Sequence, residues 1–319
     1  VVGSELLGHL LSPLLCDIGT QSGASVEDIP FVLDMAQEGL LVPHIQSGTI
    51  FEHLTFGVDS FGDYGDGNGR PDWFQDVRVR QALAMCTDRQ GLMEQTMFGQ
   101  SKVWDSYASP DHWLRPEDAA AWPYDVATAN ALLDEVGYLD SDGDGIREDP
   151  ATGTPFAIEL MTTSGAELRP QIVSHITENW LACGVQVNEV LLPASEVFAP
   201  GPDGPVFGRR FDVALFAWVS DMELPCQYWQ SNRIFMGDES GEIAENATGW
   251  SNEAFDVACQ QAQRAFWGSP EYVAAHQAAW RIFAEELPSL PLFPRLKLAV
   301  ARPEVRNFAP DATQNSVLW

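Results

Sequence analysis

Lysine is almost missing from this chain of 319 residues. Lys102 and Lys297 are the only two, and lysine and arginine together number 17 against 46 aspartates and glutamates. The formal charge of −29 repels phosphate backbones and anionic lipid headgroups, so nucleic acid is not an expected partner. It suits a soluble protein, a neutral or cationic ligand, or a divalent cation. No apolar run approaches the ~18 residues of a membrane span. No two of the five cysteines stand as Cys-x-x-Cys, which removes zinc knuckles and thioredoxin-type chemistry. None of the six histidines falls in a compact metal-binding spacing such as His-Glu-x-x-His. There is no Gly-x-Ser-x-Gly elbow, no Ser-x-x-Lys pair and no Walker loop. Gly65, Gly67 and Gly69 lack the strand-and-helix context of a phosphate cradle. Carboxylates are so numerous that no pair of them signals acid–base catalysis. An enzyme is not expected.

What is present is organised around Phe211-Asp-Val-Ala-Leu-Phe-Ala-Trp-Val-Ser-Asp221. The nearly unbroken apolar run predicts a strand buried on both faces. It ends in an aromatic plate, Trp218, and a carboxylate, Asp221, before a polar loop. In an open α/β sheet the ligand sits outside the carboxyl ends of the strands, so this end is the candidate site.

Around that stretch the spacing predicts alternating elements. Helices are expected over 26–40, from Asp76 onward, from Asp125 to Gly137, over 167–182, and over 252–267 and 269–286. The leucines at 6, 7, 10, 11 and 14 also keep helical spacing. Strands are expected at 50–58, 156–160, 185–190 and 296–300. The order strand–helix–strand–helix–strand from 156 to 218 implies a parallel sheet. Leu287 to Pro294 holds three prolines and cannot be helical. The segment 100–124 is rich in aromatics for an irregular stretch, and Trp104 and Trp113 would suit the lining of a cleft. The return of the last strand toward the beginning suggests a discontinuous arrangement. Residues 1–58 and 290–319 would form part of a first lobe, and 59–289 a C-terminal ligand-binding lobe.

The sharpest local motif is Asp140-Ser-Asp-Gly-Asp-Gly-Ile-Arg-Glu148. Asp140, Asp142 and Asp144, the Ile146 carbonyl and Glu148 fall at the spacing that curls oxygens around calcium. Ala151 stands where a full EF-hand has its bidentate glutamate, so the loop also reads as a solvated acidic turn. No cofactor is required, and calcium is the one ion the loop would suit. A disulfide between Cys226 and Cys259 would tie the loop after the focal strand to a helix. That pairing would fit an exported protein, and with five cysteines at least one thiol is left over. Asn246-Ala-Thr248 matches a glycosylation sequon.

Several of these stretches together resemble one family. They are Asp76-Val-Arg-Val-Arg-Gln-Ala-Leu-Ala with Thr87-Asp-Arg89, Leu132-Leu-Asp-Glu-Val-Gly-Tyr138, and Asp142-Gly-Asp-Gly-Ile146. Phe211 to Trp218 with Asp221, Gly249-Trp-Ser-Asn-Glu-Ala-Phe-Asp256, and Glu286-Leu-Pro-Ser-Leu-Pro-Leu-Phe293 complete the set. In order and spacing the chain resembles the family 5 solute-binding proteins of ABC importers, the peptide, nickel and oligosaccharide type. The resemblance covers almost the whole chain and matches the C-terminal portion of such proteins. It implies an α/β, type II periplasmic-binding lobe with part of the second lobe. It further implies a monomer in the periplasm or outside the cell, lipoprotein-anchored in the full-length form, that delivers its ligand to a membrane permease. Asp221 stands where peptide-binding members pair an aspartate with the ligand's α-amino group. The expected ligand is therefore a peptide or cationic amine at Trp218 and Asp221. The alternative is an oligosaccharide stacked on Trp218, Trp104 or Trp113. Alternatives of another class are a hydrolase or a calcium-dependent adhesion module.

Overall fold

The computed structural model describes residues 17–20, 26–64, 71–165, 167–220, 222–237 and 244–311. The leucine-rich stretch near the start, Cys16, and Asp221 lie outside the described residues. The described chain forms β1 (Ile18–Gly19), α1 (Ile29–Gln37), β2 (Val42–Phe56), α2 (Val77–Cys86), α3 (Arg89–Met97) and α4 (Val126–Val136). There follow β3 (Ala157–Thr163), α5 (Leu168–Leu181), β4 (Gln186–Leu192), the single turn α6 (Ala194–Val197) and β5 (Val213–Val219). α7 (Glu253–Arg264), α8 (Pro270–Glu286) and β6 (Ser289–Ala301) complete it.

Helix starts follow local chemistry. Asp76, Asp125, Asn252 and Ser269 each accept a backbone N–H of the first turn with their side chains. Gly137 ends α4 at φ 104°, a conformation that favours glycine.

All six strands form one sheet in the order β1-β6-β2-β5-β3-β4. β3 runs parallel to both β4 and β5, as the alternation of elements predicts. The sheet as a whole is mixed, because β2 lies antiparallel to β5 and to β6. A purely parallel sheet is therefore corrected: the long β2 pairs with β5 and β6 in the opposite sense, beyond the reach of the strand–helix–strand alternation. β2 begins eight residues before the expected strand, at Val42, and β6 begins at Ser289 instead of 296. The sheet thus continues across the divisions expected near 58 and 290.

The prolines of β6 explain its irregular ladder. Pro291 and Pro294 have no N–H to give, and the register between β2 and β6 shifts at Ser47/Phe51 and again at Glu52/His53. At the second shift β6 gains a residue, Leu292. Its carbonyl turns outward and accepts the Trp104 N–H at 3.0 Å. The Ser101 hydroxyl caps the Pro294 carbonyl in the same way at 2.9 Å. Residues 101–104 thus cover an edge of β6 that β1 does not reach.

The main core packs α2, α4 and α5 on the sheet through residues such as Leu83, Leu133, Ile176, Trp180, Leu160 and Leu215. Arg80, 1% exposed, joins this layer to the end of α8, where its guanidinium donates twice to the Glu286 carbonyl, at 2.9 and 2.6 Å. A second cluster gathers α7, α8 and the aromatic segment around Tyr107, Trp229, Trp280 and Phe283. Disulfides Cys86–Cys183 and Cys226–Cys259 tie the end of α2 to the turn after α5 in the first core, and the 226 loop to α7 in the second. The sequence offered no reason to pair Cys86 with Cys183. None of the described helices is long and apolar enough to cross a membrane.

Candidate functional site

At the carboxyl end of β5 a cavity of about 280 Å³ opens. The shift in the β2 ladder supplies Gly48 and Thr49 to its wall. The aromatic segment supplies Trp104, Ser109, His112 and Trp113, and the end of β5 supplies Ser220 and, just beyond, Met222. Ser220 is fixed there by donating its N–H to the Thr49 carbonyl at 2.7 Å. Trp104 is buried and stacks on Phe51 with ring centroids 5.0 Å apart. Its carbonyl accepts from Arg89 Nη1 at 2.7 Å, so backbone and ring are both held. Trp113 is 50% exposed and lies over Tyr272, at 6.1 Å and nearly coplanar.

Of the four ligand residues expected from sequence, Trp104 and Trp113 meet in this cavity. Trp218 is not among its lining residues. It is half-buried, and its ring stacks on Tyr228 at 4.7 Å, behind the strand end. Asp221 lies outside the described residues, but both its neighbours, Ser220 and Met222, line the cavity. His112, Ser109, Gly48 and Thr49 were not anticipated. Gly48 and Thr49 stand just before the strand expected at 50–58, and nothing in the local sequence singled them out.

The cavity's electrostatics are muted. His112 accepts the Leu114 N–H on Nδ1 at 3.2 Å. Burial holds its pKa below the usual histidine value, opposed by a hydrogen bond to the Met222 backbone. Behind it, Tyr272 and His276 are buried with ring centroids 4.4 Å apart, and among the described residues neither the Tyr272 hydroxyl nor either His276 nitrogen has a hydrogen-bond partner. Burial lowers His276 to about 4, with His112 adding a smaller push in the same direction.

A charged cluster nearby was also missed. Glu52 of β2 is fully buried and accepts from Arg295 Nε at 2.7 Å and from Arg169 Nε at 3.3 Å. Arg169 also reaches the Thr163 hydroxyl at the carboxyl end of β3. The two guanidiniums share the one buried carboxylate. Nothing in the local sequence pairs residues 52, 169 and 295, because only the sheet register brings them together.

The acidic loop lies elsewhere, after α4. One oxygen from each of Asp140, Asp142, Asp144 and Glu148 falls within 4.8 Å of the others, with the aspartates exposed and Glu148 half-buried. Each carboxylate also accepts a backbone N–H of the same loop: Asp140 from Gly143 and Gly145, Asp142 from Asp144, Asp144 from Ile146, and Glu148 from Ser141. Ile146 itself is half-buried. The loop borders a separate open groove of about 500 Å³ that includes Asp142, Glu148 and Asp149. The sequon at Asn246 is corrected: the side chain is fully buried, and its amide donates to the Gln230 and Trp250 carbonyls, so no hydrogen faces solvent for glycosylation.

Residues 26–233 match the family described as bacterial extracellular solute-binding proteins, family 5 Middle. The chain is 29% identical over 243 residues to the di/tripeptide-binding protein 2 of Pseudomonas aeruginosa, covering 76% of this chain and 42% of that protein. It is 31% identical over 178 residues to the oligopeptide-binding protein AppA of Bacillus subtilis, covering 53% and 31%. Among solved structures, the oligopeptide-binding protein of Thermus thermophilus, complexed with a pentapeptide, superposes with a TM-score of 0.75 at 24% identity. That match covers 98% of this chain and 52% of the other. NikA of Brucella suis, in complex with Fe(III)-EDTA, gives 0.75 at 19% identity, covering 98% and 58%. The fold is that of these periplasmic binding proteins, and the chain spans about half the length of the relatives it matches. The chain belongs to the bacterial extracellular solute-binding proteins of family 5.

Proposed function

We propose that this chain is the C-terminal, ligand-holding part of a solute-binding component of an ABC importer, and that its ligand is a peptide or another cationic amine. One observation carries the reading. The residues on both sides of Asp221 line a cavity walled by Trp104 and Trp113, at the carboxyl end of β5. A carboxylate there would hold an ammonium by charge-assisted hydrogen bonds. The surrounding field, with its excess of acidic residues, would draw the cation in. The oligosaccharide reading has one observation in its favour, the half-exposed ring of Trp113. Neither the hydrolase nor the adhesion alternative finds support in the family.

The two-lobe arrangement belongs to the same proposal. Only the outer half of the long β2–β6 ladder reaches β1, and only the inner half of β2 reaches β5. The passage between lobes would fall at the register shift between Ser47 and Phe51. The whole protein would act as a monomer, lipid-anchored outside the cytoplasm, closing over its ligand and passing it to a permease.

The test is a thermal-shift screen of peptides against oligosaccharides on the complete protein. A ligand at a hundred times its dissociation constant adds about 2.7 kcal/mol of stability. Peptides are expected to shift the melt, and Asp221→Ala is expected to abolish the shift without unfolding the protein. A response to sugars alone, or unchanged peptide affinity in Asp221→Ala, would overturn the reading.

A further inference from the structure

We propose that His112 and His276 form an acid-sensitive latch: when they take up protons, the turn over residues 109–116 lifts from α8 and the cavity loses one wall. The latch stands on the packing of this chain, and only its consequence for a ligand rests on the proposed function.

Both imidazoles are held in ways that suit the neutral ring. His112 accepts the Leu114 N–H on Nδ1 at 3.2 Å and is also hydrogen-bonded to the Met222 backbone. An imidazolium donates from both nitrogens. A second proton on His112 would set Nδ1–H against the Leu114 N–H and break the bond that closes the turn. His276 lies behind, 1% exposed, and among the described residues neither of its nitrogens meets an acceptor. Charging it there would bury a cation without a partner.

A run of rings joins the two. His112 lies beside Trp113 at 6.1 Å, Trp113 over Tyr272 at 6.1 Å, and Tyr272 meets His276 edge-on at 4.4 Å. Among the described residues no counter-charge is set against His276. From α8 itself Tyr272 faces it, and burial, with the charge of Glu223 on the loop after β5, keeps that phenol neutral. The buried face of α7, with Phe255, Ala258, Cys259 and Ala262, offers no titratable group, since Cys259 is tied to Cys226. The turn offers only His112, whose positive charge opposes one on His276.

The turn is the part that yields. Its segment is pinned at Trp104, through Leu292 and Arg89, and at Trp122. The Trp122 carbonyl accepts from Arg89 Nη2 at 2.8 Å, and its indole donates to the Ala284 carbonyl at 2.8 Å. Between these points the backbone bonds are local, as from the His112 N–H to Ser109 and from the Arg115 N–H to His112. Such stretches open first. Ser109, His112 and Trp113 line the cavity, so lifting the turn removes wall. Lifting also draws buried Leu114 out of the second cluster, which keeps the latch shut at neutral pH.

Burial holds His276 at about 4 in the closed chain, against 6.5 for a free imidazole. Above pH 6.5 both forms are neutral and the latch is tightest. As pH falls toward 4, the lifted form takes up a proton that the closed form refuses. The lifted fraction at pH 5.0 is then about thirtyfold that at pH 7.5 from His276 alone, and His112 adds in the same direction.

Amide hydrogen exchange on the complete protein at pH 7.5 and pH 5.0, with each rate divided by the intrinsic rate at that pH, reads the opening at His112, Leu114 and Arg115. Protection of these amides is expected to fall at least about thirtyfold. His276→Phe should remove that factor. His112→Gln, which can keep both hydrogen bonds, should remove the remainder, and the double variant should lose the pH dependence. Equal protection at the two pH values in the parent overturns the proposal and requires no variant to fold. So does a fall that survives in the folded double variant, or turn amides that exchange no faster than those of α2, which would make the opening global. Bound peptide should also dissociate faster at pH 5.0 in the parent only, and an off-rate that ignores pH severs the latch from the ligand. Failure of every peptide to bind overturns the proposed function and leaves the exchange result to decide the latch.

Discussion

His53 gives the most specific prediction about stability. It sits fully buried in β2, with its ring 4.5 Å from Phe216 and 5.4 Å from Phe51. Burial is the largest cause of its low basicity, and the nearby Arg169 charge acts in the same direction, against a smaller opposing hydrogen bond to the Phe51 backbone. The net effect lowers its pKa from 6.5 to about 3. Above pH 6.5 the folded and unfolded chains are both neutral at this position, and its full contribution to stability is present. As pH falls from 6.5 toward 3, the unfolded chain takes up a proton that the folded chain refuses. Stability therefore falls by about 1.4 kcal/mol per pH unit in that window. At pH 5 the loss is about 2 kcal/mol relative to neutral pH. The value hardly depends on the folded pKa, provided that lies well below 5. His276, lowered to about 4, should add a comparable loss of about 2 kcal/mol. Asp76, Asp118 and Asp125 have pKa values lowered from 3.8, so their contributions are lost only as pH falls below that value, under the pH 5.0 at which the comparison ends. Urea unfolding at pH 7.5 and pH 5.0 should show a difference of at least about 4 kcal/mol in the parent, with His112 adding in the same direction, and about 2 kcal/mol less than the parent in His53→Leu. A His53→Leu protein that keeps the parent's full pH difference would refute the reasoning, whatever its absolute stability.

Three further outcomes are expected. Glu52→Ala strands Arg169 in the core without its counter-charge and should cost about 3–5 kcal/mol in denaturant unfolding; a loss below about 1 kcal/mol would mean that water or backbone compensates. Replacing Cys86 and Cys183 by serine opens a loop with a sequence separation of 97 and should cost about 4.7 kcal/mol on loop entropy, against about 3.7 for the Cys226–Cys259 pair at a separation of 33. The reverse order in paired unfolding curves would sink the entropic account. Calcium should raise the melting temperature through the 140–148 loop, and Asp142→Ala should erase the rise; no rise in the parent would leave that loop as an acidic turn closed on its own backbone.

Local chemistry was readable in the sequence wherever it was self-contained. Asp76, Asp125 and Ser269 announce helix starts because the cap and its N–H partners lie within three residues. The apolar run from Phe211 announces a buried strand because burial on both faces leaves no room for polar alternation. The aromatic excess between 100 and 124 pointed to the cavity wall, since Trp104 and Trp113 do line it. What stayed hidden depends on register. The first half of β2, from Val42 to Thr49, mixes Pro, His, Gln, Ser and Gly, and its extended shape rests on the β6 ladder from Val42 to Ser47 and on the Ser220 N–H at Thr49. Pro291 and Pro294 argue against a strand until the ladder is seen to step around them. Trp218 looks like a ligand plate from its position at the strand end, and only the fold reveals Tyr228 stacked against it. Glu52, Arg169 and Arg295 stand more than a hundred residues from one another, and no spacing rule could have joined them.

The ladder between β2 and β6 has a mechanical consequence. A two-stranded ribbon is stiff along its length and compliant across its face. Its weakest line is the place where successive hydrogen bonds are missing. Between Ser47 and Phe51, four steps of β2 face only two of β6, so the ribbon is creased there. The crease is where Gly48 and Thr49 enter the cavity wall. Flexing at that line would move Gly48 and Thr49 and so change the width of the cavity, and a guest held there would resist the movement. Occupancy and bending stiffness are two readings of the same short piece of backbone.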